Sequence, residues 1–328
     1  MAPHHRSSTA TRTSAVPSAT LVLLLIATVA PAAAGQIRIT AVSNATLRAM
    51  PDAGAEVVAQ VPLGTEMTEA GPADLDKTWV RVALADAREG WVLASLTRPL
   101  DPVWRWPVFD AIIASRLARA GDGFKATSEL VAFVERVVPE YTNAEGRAAI
   151  ELARLRAIAA ALRSISFGGA RREPYASWLA EREGLVAYDE PGGRWILAPG
   201  PIWALHARYQ GTPAADDIAW LAVTNGLPGE CEGYVSCYVD VRNRLHGEYL
   251  RREPDGRHVS EAVAVVTRTA DLLVAPAQPR QAWQFDKARD CRELGASVEA
   301  LIAAVQGTVV TGREAAMASL AAVKAFCQ

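Results

Sequence analysis

The sequence has 328 residues, of which 50% are hydrophobic and 21% are charged, with 34 basic and 36 acidic side chains. A chain of this length and composition can bury a substantial core, which excludes disorder as its overall state. The formal net charge is −2, and basic residues occur at most in isolated doublets. Because nucleic-acid and anionic-membrane binding need clustered Lys and Arg, the composition excludes both functions.

The first 34 residues have the pattern of a secretory signal peptide. Arg6 and Arg12 precede an uncharged apolar run at 19–30, which is followed by Pro-Ala-Ala-Ala ending at Ala34. The run is too short to span a bilayer core, which needs about 20 apolar residues. We therefore expect cleavage after Ala34 and an exported protein, periplasmic or extracellular, with no integral membrane segment in the mature chain.

Residues 35–99 have the period-two hydrophobic pattern of short β-strands. Glycine- and proline-containing turns at 51–54, 62–64 and 71–72 separate these runs. The runs lie at 37–42, 56–61, 78–82 and 90–93. About five short strands in such a segment predict a small β-barrel domain.

The same segment, at 36–98, resembles the bacterial SH3 (SH3b) family. The matching motifs, in the family's order, are Ala-Thr-Leu-Arg-Ala-Met-Pro at 45–51, Val-Val-Ala-Gln-Val-Pro-Leu-Gly-Thr at 57–65, Trp-Val-Arg-Val at 79–82, Glu-Gly-Trp-Val at 89–92, and Leu96. The resemblance implies a module that contacts a cell-wall peptide or an envelope protein through an aromatic-lined groove. Trp79 and Trp91 match aromatic positions of the family and are the groove candidates; the alternative for both is core packing. Ala49 departs from the family, which usually has a polar residue there.

From 107 to 328 the hydrophobic period becomes helical. A β-hairpin is predicted near 185–197, with its turn at Glu-Pro-Gly-Gly. Helices are predicted at 107–120, 127–138, 143–164, 174–183, 201–209, 214–225, 237–252, 259–273, 283–306 and 312–326. The predicted fold class is therefore multidomain α+β, a small SH3-like β-barrel followed by a mainly α-helical domain.

Residues 214–270 resemble one helix pair of the degenerate tetratricopeptide-like repeats of bacterial envelope proteins. The resemblance is carried by Asp-Ile-Ala-Trp at 217–220, Tyr-Leu at 249–250, Pro-Asp-Gly-Arg at 254–257 and Glu-Ala at 261–262. A repeat array needs about three units and one is visible, so the expectation is a helical domain with a single repeat-like pair that serves as a scaffold or partner-binding element.

The stretch Glu-Cys-Glu-Gly-Tyr-Val at 230–235 resembles the nucleophile motif of NlpC/P60 peptidoglycan endopeptidases, Asp-Cys-Ser-Gly-Phe-Val. That resemblance makes Cys231 a candidate nucleophile, with His258 or His246 as its base. Glu232 replaces the family's serine, no strand follows to carry the histidine, and Cys237 lies six residues away. In an oxidising compartment a neighbouring thiol consumes such a nucleophile.

Disulfide bonding explains the four cysteines better. An even number in an exported chain predicts two bridges, and three pairings are possible. The favoured pairing joins Cys231 to Cys237 and Cys291 to Cys327. Zinc binding by Cys231, Cys237, His246 and His258 is disfavoured by the cysteine spacing, so neither a metal nor a cofactor is predicted.

The other chemistry-bearing residues are interpreted as structural. The acidic pairs Asp216-Asp217 and Glu181/Glu183 are expected on solvated helix faces. Trp104, Trp106, Trp178, Trp195, Trp203, Trp220 and Trp283 are spread one per element, as core anchors are. The sequence thus predicts an exported, non-catalytic envelope binding or scaffold protein; the alternative is a cysteine-dependent peptidoglycan endopeptidase using Cys231.

Overall fold

The structure, a computed structural model, describes residues 35–119, 121, 123–166, 168–275 and 287–328. The predicted signal peptide and Trp283 lie outside the described residues. Gln36–Gln328 form one compact unit.

The N-terminal part is an antiparallel sheet of seven strands in the order β3-β2-β6-β5-β4-β1-β7. The strands are β1 Ile37–Thr40, β2 Ala45–Arg48, β3 Val57–Val61, β4 Glu66–Glu69, β5 Trp79–Ala83, β6 Glu89–Leu93 and β7 Thr97–Pro99. Alternate residues of the strands form a buried cluster on one face, which includes Ala45, Leu47, Val61, Val82 and Val92.

The prediction of about five strands was wrong in number. The four predicted runs correspond to β1, β3, β5 and β6, whereas β2, β4 and β7 have only three or four residues and lie in none of them. The β4 sequence, Glu-Met-Thr-Glu, has one apolar residue, and Met67 alone turns inward there. The β7 strand has three residues and ends at Pro99, on the sheet edge where proline is tolerated.

The remainder is mainly helical, with one two-stranded hairpin of β8 Val186–Asp189 and β9 Arg194–Leu197 among the described residues. The helices are α1 Trp106–Leu117, α2 Gly123–Val137, α3 Ala144–Leu162, α4 Tyr175–Ala180, α5 Pro199–Arg208, α6 Ala215–Asn225, α7 Val235–Arg242, α8 Glu248–Arg252, α9 Val259–Val274, α10 Lys287–Gln306 and α11 Arg313–Lys324. A π-helical segment, Asn243–Gly247, joins α7 to α8, so the helix predicted at 237–252 is one continuous stretch of helical backbone. The predicted α+β class is confirmed, whereas the assignment of the sheet to the SH3b family stays a prediction.

Helix boundaries follow local chemistry. The side chain of Asn143 caps α3 by accepting a hydrogen bond from the backbone N–H of Gly146 at 2.7 Å. Pro107 lies in the first turn of α1, where its missing N–H costs nothing. Gly226, with φ of +83°, ends α6 in a conformation that favours glycine.

The sheet and the first helices share a core. Ile39, Leu63 and Leu100 from the sheet region belong to the same buried cluster as Phe109 of α1 and Phe133 of α2. Phe133 packs directly over Gly64, where any side chain would overlap its ring. Arg136 of the same helix donates to the Gly64 carbonyl at 2.8 Å.

A second buried cluster holds α6 to α11 together. The structure pairs Cys291 of α10 with Cys327, just beyond α11, across 36 residues. No helix within the described ranges combines the length and apolar character needed to cross a bilayer.

Candidate functional site

Cys231 is joined to Cys237, with their Cα atoms 5.4 Å apart. Cys231 lies in the turn before α7, and Cys237 lies inside that helix. The turn is closed by Glu232 and Gly233, both at positive φ, and the Tyr234 N–H donates to the Cys231 carbonyl at 2.8 Å. The bonded sulfur offers no thiolate, and Cys231 does not occupy the helix N-terminus that would activate one.

The two histidines proposed as bases lie in different surroundings. His246 is in the π-helical segment and is 5% exposed; burial and the nearby charges of Arg242 and Arg268 lower its pKa to about 3. It is therefore neutral at ordinary pH and a weak base. His258 occupies the N-cap position of α9, and its ring stacks on Trp220 with centroids 4.5 Å apart and planes 2° apart.

The two groove candidates of the sheet differ in exposure. Trp79 is 8% exposed and belongs to the buried residues of the sheet region. Trp91 is partly exposed and lies in register with Arg48 on one side and Arg81 on the other. Of the two, Trp91 retains the ring surface that a groove would need.

Asp216 contradicts the expectation of a solvated helix face. It lies in the first turn of α6 and is only 9% exposed. The Tyr249 hydroxyl donates to Oδ1, while the backbone N–H and Nε of Arg257 donate to Oδ2 at 3.1 and 3.0 Å. The turn 254–258 folds over the start of α6, and that long-range contact buries a carboxylate whose local sequence is polar. Glu181, by contrast, is exposed as expected.

Asp216, Asp217 and His258 together could offer three ligand atoms to a metal, all within 4.8 Å of one another. However, Arg257 also donates to Asp217 Oδ1 at 2.7 Å, so its guanidinium bridges both carboxylates. The positive charge that a cation would bring is already supplied by the chain. The cluster is best described as an internal clamp that fixes the turn between α8 and α9 on α6.

Trp104 and Trp106 are not core anchors. They are 60% and 40% exposed, and their ring centroids lie 4.8 Å apart. Asp101 holds this segment in a tight turn by accepting from the N–H groups of Val103 and Trp104 at 2.7 and 2.9 Å. Prolines at 102 and 107 flank the pair. Their hydrophobic character suggested burial, but the turn aims both rings outward.

A cavity of about 380 Å³ opens beside Trp106. It is lined by Trp106, Asp110, Glu140, Tyr141, Thr142, Asn143, Glu145, Gly146 and Ala149. Its walls come from α1, from residues 140–143 in the connection between α2 and α3, and from the start of α3. The sequence gives no signal for this site, because its two stretches, 106–110 and 140–149, lie 30 residues apart and no short motif unites them.

Comparisons with known proteins add no relative: the chain matches no family model, no curated protein and no solved structure.

Proposed function

We propose that this chain is an exported, non-catalytic protein of the cell envelope. In this proposal the N-terminal sheet is an SH3b-type module that contacts a cell-wall peptide or an envelope protein, and the helical region is the scaffold. Two disulfides and the lack of a spanning helix in the described ranges are compatible with export.

The observation that carries the proposal is the exposed pair of Trp104 and Trp106 next to a cavity, directly after the sheet. Exposed aromatic side chains in a fixed conformation are typical of binding surfaces, since they provide contact area at a small cost in conformational entropy. The partly exposed Trp91 adds a second aromatic surface on the sheet itself.

The alternative, a cysteine peptidase, requires a free Cys231 thiolate. The disulfide to Cys237 and the low pKa of His246 weigh against it. Thiol titration of the exported protein distinguishes the two functions: we expect no reactive thiol, whereas a free Cys231 together with wall digestion that is lost in Cys231→Ser would establish the enzyme.

Binding is tested by co-sedimentation of residues 35–328 with purified cell wall, together with chemical cross-linking to envelope proteins. The intact chain is needed because Phe133 of α2 packs on Gly64 of the sheet region. We expect retention that falls in Trp91→Ala or Trp104→Ala and is unchanged in Leu272→Ala, which removes another exposed apolar side chain, on α9. A chain that neither sediments with wall nor cross-links to any envelope protein would contradict the proposal.

A further inference from the structure

The exposed apolar surface at residues 103–106 adjoins the cavity through Trp106. Three of the four side chains at 103–106 are large, hydrophobic and exposed: Val103, Trp104 and Trp106. Arg105 does not point its charge into free solution, because it pairs with Glu66 of the sheet and with Glu140 at 2.9 Å. The segment is therefore anchored on both sides, with Trp106 lining the cavity and Trp104 beside Trp106.

The cavity wall is acidic. Asp110, Glu140 and Glu145 line it, and no Lys, Arg or His is among the described lining residues. Glu140 is partly neutralised by Arg105, but Glu145 makes no ion pair or hydrogen bond with any residue that the structure describes. Arg147 also lies close by, since its Nε donates to the carbonyl of the lining residue Tyr141 at 3.0 Å. Three carboxylates against the two guanidinium groups of Arg105 and Arg147 give the surroundings of the cavity a formal charge of −1.

Asp110 pairs with a hydroxyl donor rather than with a cation. It accepts a hydrogen bond from the Tyr141 hydroxyl at 2.6 Å. Burial and the neighbouring Asp110 raise the pKa of Tyr141 well above its usual value, so this donor stays neutral and does not cancel the carboxylate charge. Two of the three carboxylates thus remain available to a positively charged ligand.

We propose that this cavity, with Trp106 in its wall and Trp104 packed beside Trp106, binds the ammonium group of a lysine-type side chain on a partner peptide. The face of a tryptophan attracts a cation, and the carboxylates accept its three N–H donors. The apolar stem of such a side chain packs on the indole rings while its head reaches the acids. In assigning the ligand to a peptide, the inference rests on the proposed function.

The size of the cavity also favours a side chain. Its volume of about 380 Å³ is at the lower end of the range for small-ligand sites, about 300–1,000 Å³. The three N–H donors of a compact ammonium rotate toward carboxylates at different angles, whereas the donors of a guanidinium are fixed in one plane.

The test is NMR titration of ¹⁵N-labelled residues 35–328 with Nα-acetyl-lysine methylamide at low salt. The indole N–H signals of Trp104 and Trp106 are assigned from Trp104→Phe and Trp106→Phe. We expect saturable shifts of these two signals, with a dissociation constant on the order of millimolar. The Nε-acetylated probe, which is neutral, should bind about 3- to 30-fold more weakly.

Matched variants distinguish the contribution of the cavity carboxylates to lysine binding from that of the overall charge of the protein. Glu145→Gln should weaken lysine binding about 3-fold or more, as expected for the loss of one close charge. Glu314→Gln removes an equally negative but remote side chain on α11 and should leave binding unchanged. Trp106→Ala should abolish the saturable shifts while leaving the rest of the spectrum intact.

Equal affinity for both probes, or full affinity in Glu145→Gln, would overturn the inference. Indole shifts that depend on protein concentration without any probe would also overturn it, since they would identify a second copy of this chain as the occupant. Lysine binding without wall or envelope binding would refute the proposed function alone. Wall binding without lysine binding would refute only the inference.

Discussion

Asp216 illustrates how a single side chain depends on contacts remote in sequence. Its two oxygens receive hydrogen bonds from Tyr249 and Arg257, which lie 33 and 41 residues further along the chain. The helix propensity of the segment is visible locally, but the burial of the carboxylate is not. The prediction that Asp216 is solvated was wrong for that reason. The same prediction is confirmed for Glu181, whose ion-pair partner at 3.1 Å, Arg182, is the next residue and leaves it exposed.

At the centre of the same clamp, Gly256 leaves no room for a side chain. An added Cβ would meet the Tyr249 hydroxyl and would lie 2.5 Å from Asp216 Oδ1. We expect Gly256→Ala to lower the free energy of unfolding by about 1–3 kcal/mol, as overpacking does. Urea denaturation measures the change.

Gly295→Ala is the matched control, because the added Cβ meets nothing within 4 Å in the middle of α10. It should be neutral or stabilise the helix by about 0.5–1 kcal/mol. Equal free energies of unfolding in the two variants would show that the close packing at Gly256 does not limit the size of the side chain there.

The charge of Asp216 should make stability depend on pH. Burial alone would raise its pKa, but hydrogen bonds from Tyr249 and Arg257 outweigh burial and lower the pKa from the usual 3.8. A folded-state pKa below the unfolded one contributes stability that is present above about pH 4 and is lost as pH falls through the folded value. Asp216→Asn should therefore destabilise the protein by about 1.5–3 kcal/mol at pH 7.

Urea denaturation at pH 7 and at pH 3 measures how the stability contributed by Asp216 changes with pH. The difference between the wild type and Asp216→Asn should shrink at the lower pH. Asp217→Asn, which alters the more exposed neighbour, should cost about 1 kcal/mol or less at pH 7. A difference that grows on acidification would refute this account of the clamp.

At the scale of elements, hydrophobic period and cap chemistry predicted most helices and the hairpin. The predicted helix at 143–164 is observed at Ala144–Leu162, and the hairpin at 185–197 contains both β8 and β9. The short strands β2, β4 and β7 lie outside the predicted runs because three or four residues carry too little periodicity. They form because neighbouring strands supply their hydrogen bonds, which is information from other parts of the chain.

The two disulfides close loops of different length, 6 and 36 residues. Loop-closure entropy predicts about 2.4 kcal/mol for Cys231–Cys237 and about 3.8 kcal/mol for Cys291–Cys327. Replacing both members of a pair by alanine should therefore cost more for the second pair. Hydrogen exchange should then show loss of protection in α11, which that bridge ties to α10.

The Cys231→Ala and Cys237→Ala double variant is the control, with its effect confined to the turn before α7. Equal losses of stability in the two double variants would contradict the loop-closure explanation. They would indicate that the bridges act mainly through local contacts.

For the whole molecule, we expect the contact between the sheet and α2 to couple the stability of the sheet to that of the first helices. Phe133 packs edge-on against Phe109, with centroids 5.7 Å apart, and covers Gly64. Phe133→Ala should cost about 3–5 kcal/mol. Because the residue is shared, hydrogen exchange should show a joint loss of protection in β1 and α1 to α3.

Phe326→Ala is the comparison, since Phe326 packs on the separate cluster of C-terminal helices. It should leave protection of the sheet unchanged. Sheet amides that stay protected in Phe133→Ala would show that the sheet is stable without α2, and that the shared core contributes little to it.

Local patterns were sufficient for the class of fold, the order of helices and the cysteine pairing that the spacing favours. These features depend on residues close in sequence, where period, caps and loop length act directly. The burial of Asp216, the exposure of Trp104 and Trp106, and the acidic cavity between α1 and α3 depend on which faces of distant elements meet. Hydropathy tells how much a side chain gains from burial, but only the packing of the chain supplies the neighbour that buries it or leaves it free to bind.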